Sequence, residues 1–300
     1  MTVAMEAGAL SRLSPPALPI RAAWSTAVRN RSIWVTFAMY LVMSVGFGVG
    51  MTYAIYKGMA GDAAEAAADP ALAAQIEGFR ESFLLANFDG FVAGLLPFWG
   101  AATALALGVM VVGSQYAKRT VNIIYTQGSS RVAVLMAQII ALAGLLALLV
   151  AATAAVNAAG CAVVSAVEGW EIAAPPLGAT LVSALTTYLT ALTYGIVGVA
   201  LAVVTRSEMQ ALGIGLVWFL GIETVLVLVF GALGWVDAGQ FTLAGATSDL
   251  AVARGAYPWW PNSLTDQATT AQGVAGAIIQ MGWLALAAGT ALGLIRRRDI

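Results

Sequence analysis

Histidine is absent from the 300 residues, cysteine occurs once, at Cys161, and lysine occurs only at Lys57 and Lys118. Each shortage closes a line of chemistry. Without histidine there is no imidazole base or triad, and a single thiol cannot build a metal centre of Cys and His ligands. Cys161 has no second cysteine to pair with, so no intrachain disulfide forms. No Gly-x-x-x-x-Gly-Lys-Ser/Thr run occurs, and neither lysine sits in a phosphate-binding context, so the chain does not hydrolyse ATP through a P-loop. Charge is scarce as well: 10% of residues are charged against 60% hydrophobic, and the mean hydropathy is +0.86. A water-soluble fold of this length cannot hide that much apolar surface. The composition therefore points to an all-α polytopic membrane protein.

Six apolar runs are each long enough to cross about 30 Å of hydrocarbon at about 1.5 Å per residue. They cover 33–56, 90–112, 132–156, 177–204, 209–233 and 273–295. Only Thr205-Arg206-Ser207-Glu208 separates the fourth from the fifth, with Ser207 placed as a helix cap, so these two should form an antiparallel hairpin. Charge orients the set. With both termini cytoplasmic, 11 of the 14 cations fall on inner segments, while Lys57, Arg80 and Arg254 and 11 of the 15 acids fall outside. Residues 1–19 contain Pro15, Pro16 and Pro19 but no apolar core of the signal-peptide kind, so a retained flexible cytoplasmic tail is expected before a single transmembrane domain over 20–300. From Ile20 to Arg31, Ile20, Ala23, Trp24, Ala27 and Val28 recur at helical spacing against Arg21, Arg29 and Arg31. That pattern suits a helix lying on the inner leaflet, and a disordered basic tail would share its composition.

The stretches between the runs differ in character. Residues 57–89 are acidic, and Pro70 is placed to start a helix through Asn87, with a face that is solvated or draws a cationic substrate. Residues 157–176 read as a second outer loop. The third, 234–272, is too long for a hairpin turn and too apolar for simple solvation, which fits short helices dipping into the outer leaflet. Tyr257, Trp259 and Trp260, between Pro258 and Pro261, form an interfacial belt that is either an anchor or a binding edge. Pro97 should kink the second run, and Gly46, Gly48, Gly50, Gly289 and Gly293 offer close helix contacts.

Within the apolar runs the one acid is Glu223. An isolated carboxylate at the bilayer centre costs on the order of 3 kcal/mol, so it must be paired, protonated or turned to a cavity. It is the intramembrane functional candidate, with a packed interhelix hydrogen bond as the alternative. Asn157, Thr186, Thr187, Thr190, Thr193 and Tyr194 either line a pathway or join helices.

The longest polar interruption is Gly113 to Arg131, GSQYAKRTVNIIYTQGSSR. On a helical wheel Ala117, Val121, Ile124 and Tyr125 oppose Gln115, Lys118, Arg119, Asn122 and Thr126, a short amphipathic helix followed by a Gly128-Ser129-Ser130 turn that caps the next span. An ordinary interfacial loop would show the same pattern. The order of Thr120-Val121-Asn122-Ile123-Ile124-Tyr125-Thr126-Gln127-Gly128 and Ser130-Arg131, with the basic amphipathic start, Gly195 to Arg206 and the terminal Arg296-Arg297-Arg298-Asp299-Ile300, resembles type 2 ABC transporter permeases over nearly the whole chain. Gln138 departs from the pattern, standing where many relatives carry lysine.

The resemblance implies an N-terminal elbow helix with Arg21, Trp24, Arg29 and Arg31. It implies a cytoplasmic coupling helix that sets Tyr116, Lys118, Arg119, Thr120, Asn122, Ile123 and Ile124 against a separate ABC ATPase, and re-entrant helices between spans five and six. ATP and Mg would be held by that partner and no cofactor by this chain. A second permease copy would complete a homodimer or heterodimer in a bacterial cytoplasmic membrane. Membrane lipid is the expected surroundings, and no nucleic acid is expected. The Ala and Gly bias suits a GC-rich genome such as an actinobacterial one. The implied function is ATP-driven export of a lipophilic or amphipathic substrate. Two other classes remain: a secondary transporter or channel, which would want more buried charges than Glu223, and a non-transporting anchor or immunity subunit.

Overall fold

The computed structural model describes residues 17–61, 69–95, 99–117, 130–255 and 269–297. These are mostly helical, with no strand among them. Helix α1 (Ala17–Arg29) precedes a long rod made of α2 (Arg31–Met43), a π-helical stretch (Ser44–Met51) and α3 (Thr52–Ala60). Then come α4 (Pro70–Phe83), α5 (Phe88–Leu95), α6 (Ala101–Ala117), α7 (Arg131–Glu168) and α8 (Leu177–Thr205). A second rod joins α9 (Glu208–Leu216), a π-helical stretch (Val217–Glu223) and α10 (Thr224–Ala232), followed by α11 (Val236–Gln240), α12 (Leu243–Val252) and α13 (Thr270–Arg297). Five of these units are long and apolar enough to cross a membrane: 31–60, 131–168, 177–205, 208–232 and 270–297. Over the expected second run, α5 and α6 fall on either side of residues 96–98, which lie outside the described residues. The kink expected at Pro97 lies outside the described residues.

Local chemistry sets many of the helix ends. Asn30 caps α2 through Ser32 N–H, and Ser130 caps α7 through Ala133 N–H at 3.1 Å. Asp69 accepts from Ala71 N–H at 2.8 Å in front of Pro70. Ser207 accepts from Gln210 N–H, and Arg206 ends α8 in the left-handed region at φ 55°, so α8 and α9 fold back as the hairpin expected from their four-residue separation. The third helix runs past the expected 132–156 to Glu168, where Gly169 stops it at φ 70°. Most of the stretch read as a loop over 157–176 is therefore helix. Asn157 stays helical by bonding Ser44 Oγ at 2.9 Å, and Gly160 makes room for Val49.

The core lies between α6, α7 and α8. Leu105, Leu107, Leu142, Leu145, Leu146, Leu149 and Tyr194 are fully buried there, joined by Ile33 and Phe37 from α2. A Cβ on Gly108 would lie 1.9 Å from Gly195 O, and one on Gly198 would lie 2.2 Å from Leu105 O, so α6 and α8 touch backbone to backbone. Of the glycines expected to pack closely, Gly48 is buried, while nothing lies within 4 Å of a Cβ at Gly46, Gly289 or Gly293, which turn away from their neighbours. A second cluster forms at the other end of the bundle, where Phe79 and Phe83 of α4 bury against Tyr56, Phe88 and Val164. The α4 face read from composition as solvated is thus half apolar contact. Its helix stops at Phe83, before a 3₁₀ turn over Leu85–Asn87.

Overpacking at a backbone contact forces helices apart at a cost of about 1–3 kcal/mol or more. Gly108→Leu should lower the thermal midpoint of the detergent-purified protein, measured by fluorescence-detected gel filtration after heating, while Gly289→Leu should leave it unchanged. Equal midpoints would overturn the α6–α8 assignment.

Candidate functional site

At the end of the bundle carrying the arginines, α1 packs along the first turns of α7. Ala23 and Ala27 are buried, Ala23 lies against Ala137 and Ala141, and the Trp24 ring covers Gly144, where a Cβ would come within 2.8 Å. The opposite side of α1 carries Arg21 and Arg29 into the open, with Arg31 exposed at the start of α2. Trp34 ties the corner by donating from Nε1 to Val28 O at 2.6 Å. Trp24 is 42% exposed, its remaining face turned outward at the same level as the arginines. Of the four residues read as the elbow, Arg21, Trp24 and Arg29 lie on α1 and Arg31 begins α2. At the same end, Tyr116 packs on the main core near the close of α6. Lys118, Arg119, Thr120, Asn122, Ile123 and Ile124 lie outside the described residues, between the end of α6 and the Ser130 cap.

Glu223 closes the π-helical stretch of the second rod. It is 3% exposed and makes no ion pair among the described residues. Its Oε1 accepts from Ala244 N–H at 2.7 Å, in the first turn of α12. Thr242 completes the cap, accepting from Gly245 N–H at 2.9 Å while donating to Gly239 O at 2.7 Å. An anion suits this position because the unpaired N–H groups and dipole of a helix N-terminus favour negative charge. In this arrangement the Glu223 side chain makes the packed interhelix hydrogen bond named above as the alternative, accepting from the first turn of α12.

That helix is itself buried from Leu243 to Ala251. Glu223 stands nine residues before the end of α10, about 14 Å of rise, so α11 descends along the rod and α12 climbs back beside it. On the last helix, Trp283 Nε1 donates to Phe241 O at 3.1 Å, holding the turn between them. A backbone approach seats the helix: a Cβ on Gly276 would lie 2.6 Å from Ala246 O. Three helices meet through one amide. Thr190 of α8 donates to Gln280 Oε1 at 3.1 Å, and Gln280 Nε2 donates to Thr247 Oγ1 of α12 at 3.0 Å. Of the threonines read as pathway or glue, Thr190 is glue. Thr186, Thr187, Thr190 and Thr247 also edge a cleft of about 210 Å³ with Ala93, Leu250 and Ala251. Much of that space is open to solvent, and the enclosed part is about 10 Å³, room for no more than a water.

At the far end, Glu168 receives hydrogen bonds from Tyr53 Oη and Lys57 Nζ, the latter at 3.1 Å, and the Arg80 guanidinium lies 5.8 Å from the Trp170 ring centroid. These contacts bind the loop-borne α4 and the close of α7 to the first rod. No group of acids, cysteine or histidine among the described residues can hold a metal.

The sequence pattern that defines the ABC-2 family transporter proteins matches residues 20–299. The chain belongs to that family. No curated protein matches it. As an ABC-2 transporter permease it is a multi-pass membrane transport subunit of an ABC system, whose ATPase is a separate partner and not a domain of this chain. Within this ABC-2 permease, Gln280, Thr242, Thr247 and Trp283 hold the buried hairpin, and none was singled out from sequence. A polar amide in the middle of the last apolar run, and Thr242 directly ahead of an apolar helix, were the available signals.

Interhelix hydrogen bonds inside membranes average well under 2 kcal/mol. Gln280→Leu should accordingly lower the permease's thermal midpoint by about 2–4 °C. Thr290→Val, which removes an exposed hydroxyl bonded only to its own helix at Leu286 O, should leave it unchanged. A neutral Gln280→Leu would show that the three-helix bridge carries no stability.

Proposed function

We propose that this permease is the membrane half of an ATP-driven exporter, working by alternating access with a separate ATPase and a second permease copy, identical or related. The observation that carries the reading is the length of α7 and the height at which α1 meets it. Thirty-eight residues make a rod of about 57 Å, longer than a bilayer with its headgroups at about 40–45 Å. Setting the arginine-bearing, tryptophan-edged α1 at the headgroup level fixes the register. Ala137 and Gly144 then lie about 9 and 20 Å from the Arg131 end of the helix, and that end extends into the cytoplasm. Residues 118–129 join the close of α6 to this end in sequence, the stretch in which we place the contact with a soluble subunit.

In this reading both termini are cytoplasmic, α5 with α6 supplies the second of six spans, and α11 with α12 is a re-entrant pair opening to the outside. The single transmembrane domain covers 20–300. Lys118, Arg119, Thr120, Asn122, Ile123 and Ile124, with Tyr116 behind them, form the coupling helix against the ATPase. ATP and Mg bind on that partner. Closure of the two ATPases moves the two coupling segments together and biases the spans from inward to outward opening, a change between two packed arrangements. The few buried charges favour a lipophilic or amphipathic cargo, and the membrane is the bacterial cytoplasmic one.

Affinity purification of the tagged chain in mild detergent, with an ATPase assay on the eluate, tests the assignment. A stoichiometric P-loop ATPase is expected, lost when residues 115–127 are scrambled. Arg119→Glu combined with Thr120→Pro should uncouple ATP turnover from transport while membrane insertion persists. A clean eluate without ATPase, under conditions that keep comparable complexes intact, overturns the reading.

A further inference from the structure

Glu223 contributes more than a buried packing contact. It is a titratable acid on one rod whose oxygen accepts a backbone N–H of a different, re-entrant helix. The other cap of that helix, the Thr242 hydroxyl, is local and does not titrate. The side-chain ties from α13 to the hairpin among the described residues are neutral: Trp283 to Phe241 O, and Gln280 to Thr247. The grip of the rod on the first turn of α12 therefore depends on a group that can take up a proton. Burial disfavours the carboxylate and the α12 donors favour it, so proton occupancy and grip are linked.

Among the described residues no cation pairs with Glu223. On the elements packed against this part of the rod, α8 brings Tyr194 beside the carboxylate and Tyr188 more than a turn away. On α12, Asp249 lies about 9 Å farther along the helix, and Arg254 lies beyond its last turn. Asp237 belongs to α11, Glu208 to the opposite end of the same rod, and α10 has no titratable side chain.

We propose that Glu223 is a proton-dependent clasp on the α11–α12 hairpin. As a carboxylate it holds the first turn of α12 against the second rod; on receiving a proton from water at a carboxylate oxygen it weakens that hold, and the hairpin tip loosens. No other bond changes. The clasp is a property of the permease chain and does not rest on the coupling segment or on ATP, so its test stands apart from the test of export.

Amide hydrogen exchange of the purified full-length protein in nanodiscs, corrected for the intrinsic pH dependence of exchange, reads it on peptides covering 241–252. Between about pH 8 and pH 5, a span in which buried carboxylates titrate, corrected exchange in the wild type should rise about tenfold, the worth of one charge-assisted hydrogen bond. Glu223→Gln keeps an acceptor oxygen but cannot titrate, so its exchange should be flat with pH. Thr242→Ala should raise exchange by a constant factor at every pH and keep the wild-type slope. Flat exchange in the wild type overturns the proposal by itself, whatever the fate of the variants. A pH response in Glu223→Gln equal to that of the wild type overturns it as well.

Discussion

Backbone N–H groups buried away from water must find acceptors, and at membrane depth the cost of failing is several kcal/mol for each group. In this fold the start of α12 is buried among neighbouring helices. Helix α12 begins about 14 Å below the close of α10, and its first turn is satisfied by Glu223 and Thr242. Everything that makes a descending and returning pair possible follows from that. The Phe241 carbonyl has Trp283, the helix face has Gly276 to lie against, and Thr247 has Gln280. Remove the acceptors and the segment would have to run along the surface instead.

Close backbone approach plays the same part for the body of the bundle. Gly108, Gly195 and Gly198 let α6 and α8 meet at distances no side chain allows, and the leucines of α7 fill the groove beside them. In lipid, where burying an apolar side chain between helices gains little over leaving it in acyl chains, such dense contact is the main attraction available. The polar bridges then choose the register. Asn157 meets Ser44 between the first rod and α7, Ser183 meets Asp89 between α8 and α5, and Gln280 meets Thr190 between α13 and α8. Each couples one pair of helices at one height.

Much of the architecture was legible because its causes are local. Pro70, Ser130 and Ser207 announced their helix starts, and the four residues between the fourth and fifth runs announced a hairpin. Amphipathic spacing found α1 and the side of it that carries Arg21 and Arg29. What was not legible depends on distant partners. Glu223 advertised a cost without naming Ala244, and Thr190 lies 90 residues from the amide that binds it. Glycine spacing picked Gly46, Gly289 and Gly293, while Gly108 and Gly276 do the packing, because spacing along one helix says nothing about which face meets a neighbour. The stretch expected to loop out after residue 156 stays helical for a related reason: Asn157, polar and apparently terminal, has a partner 113 residues earlier.

The dependence of α12 on the last helix sets an order of assembly. A ribosome that has just released residue 252 has produced a segment whose wall does not yet exist, since Gly276, Gln280 and Trp283 follow it in the chain. Until α13 enters beside α8, the hairpin has Glu223 to hold it at one point and lipid or translocon along the rest. The arrival of α13 therefore seals a structure that the helices before it can only prepare.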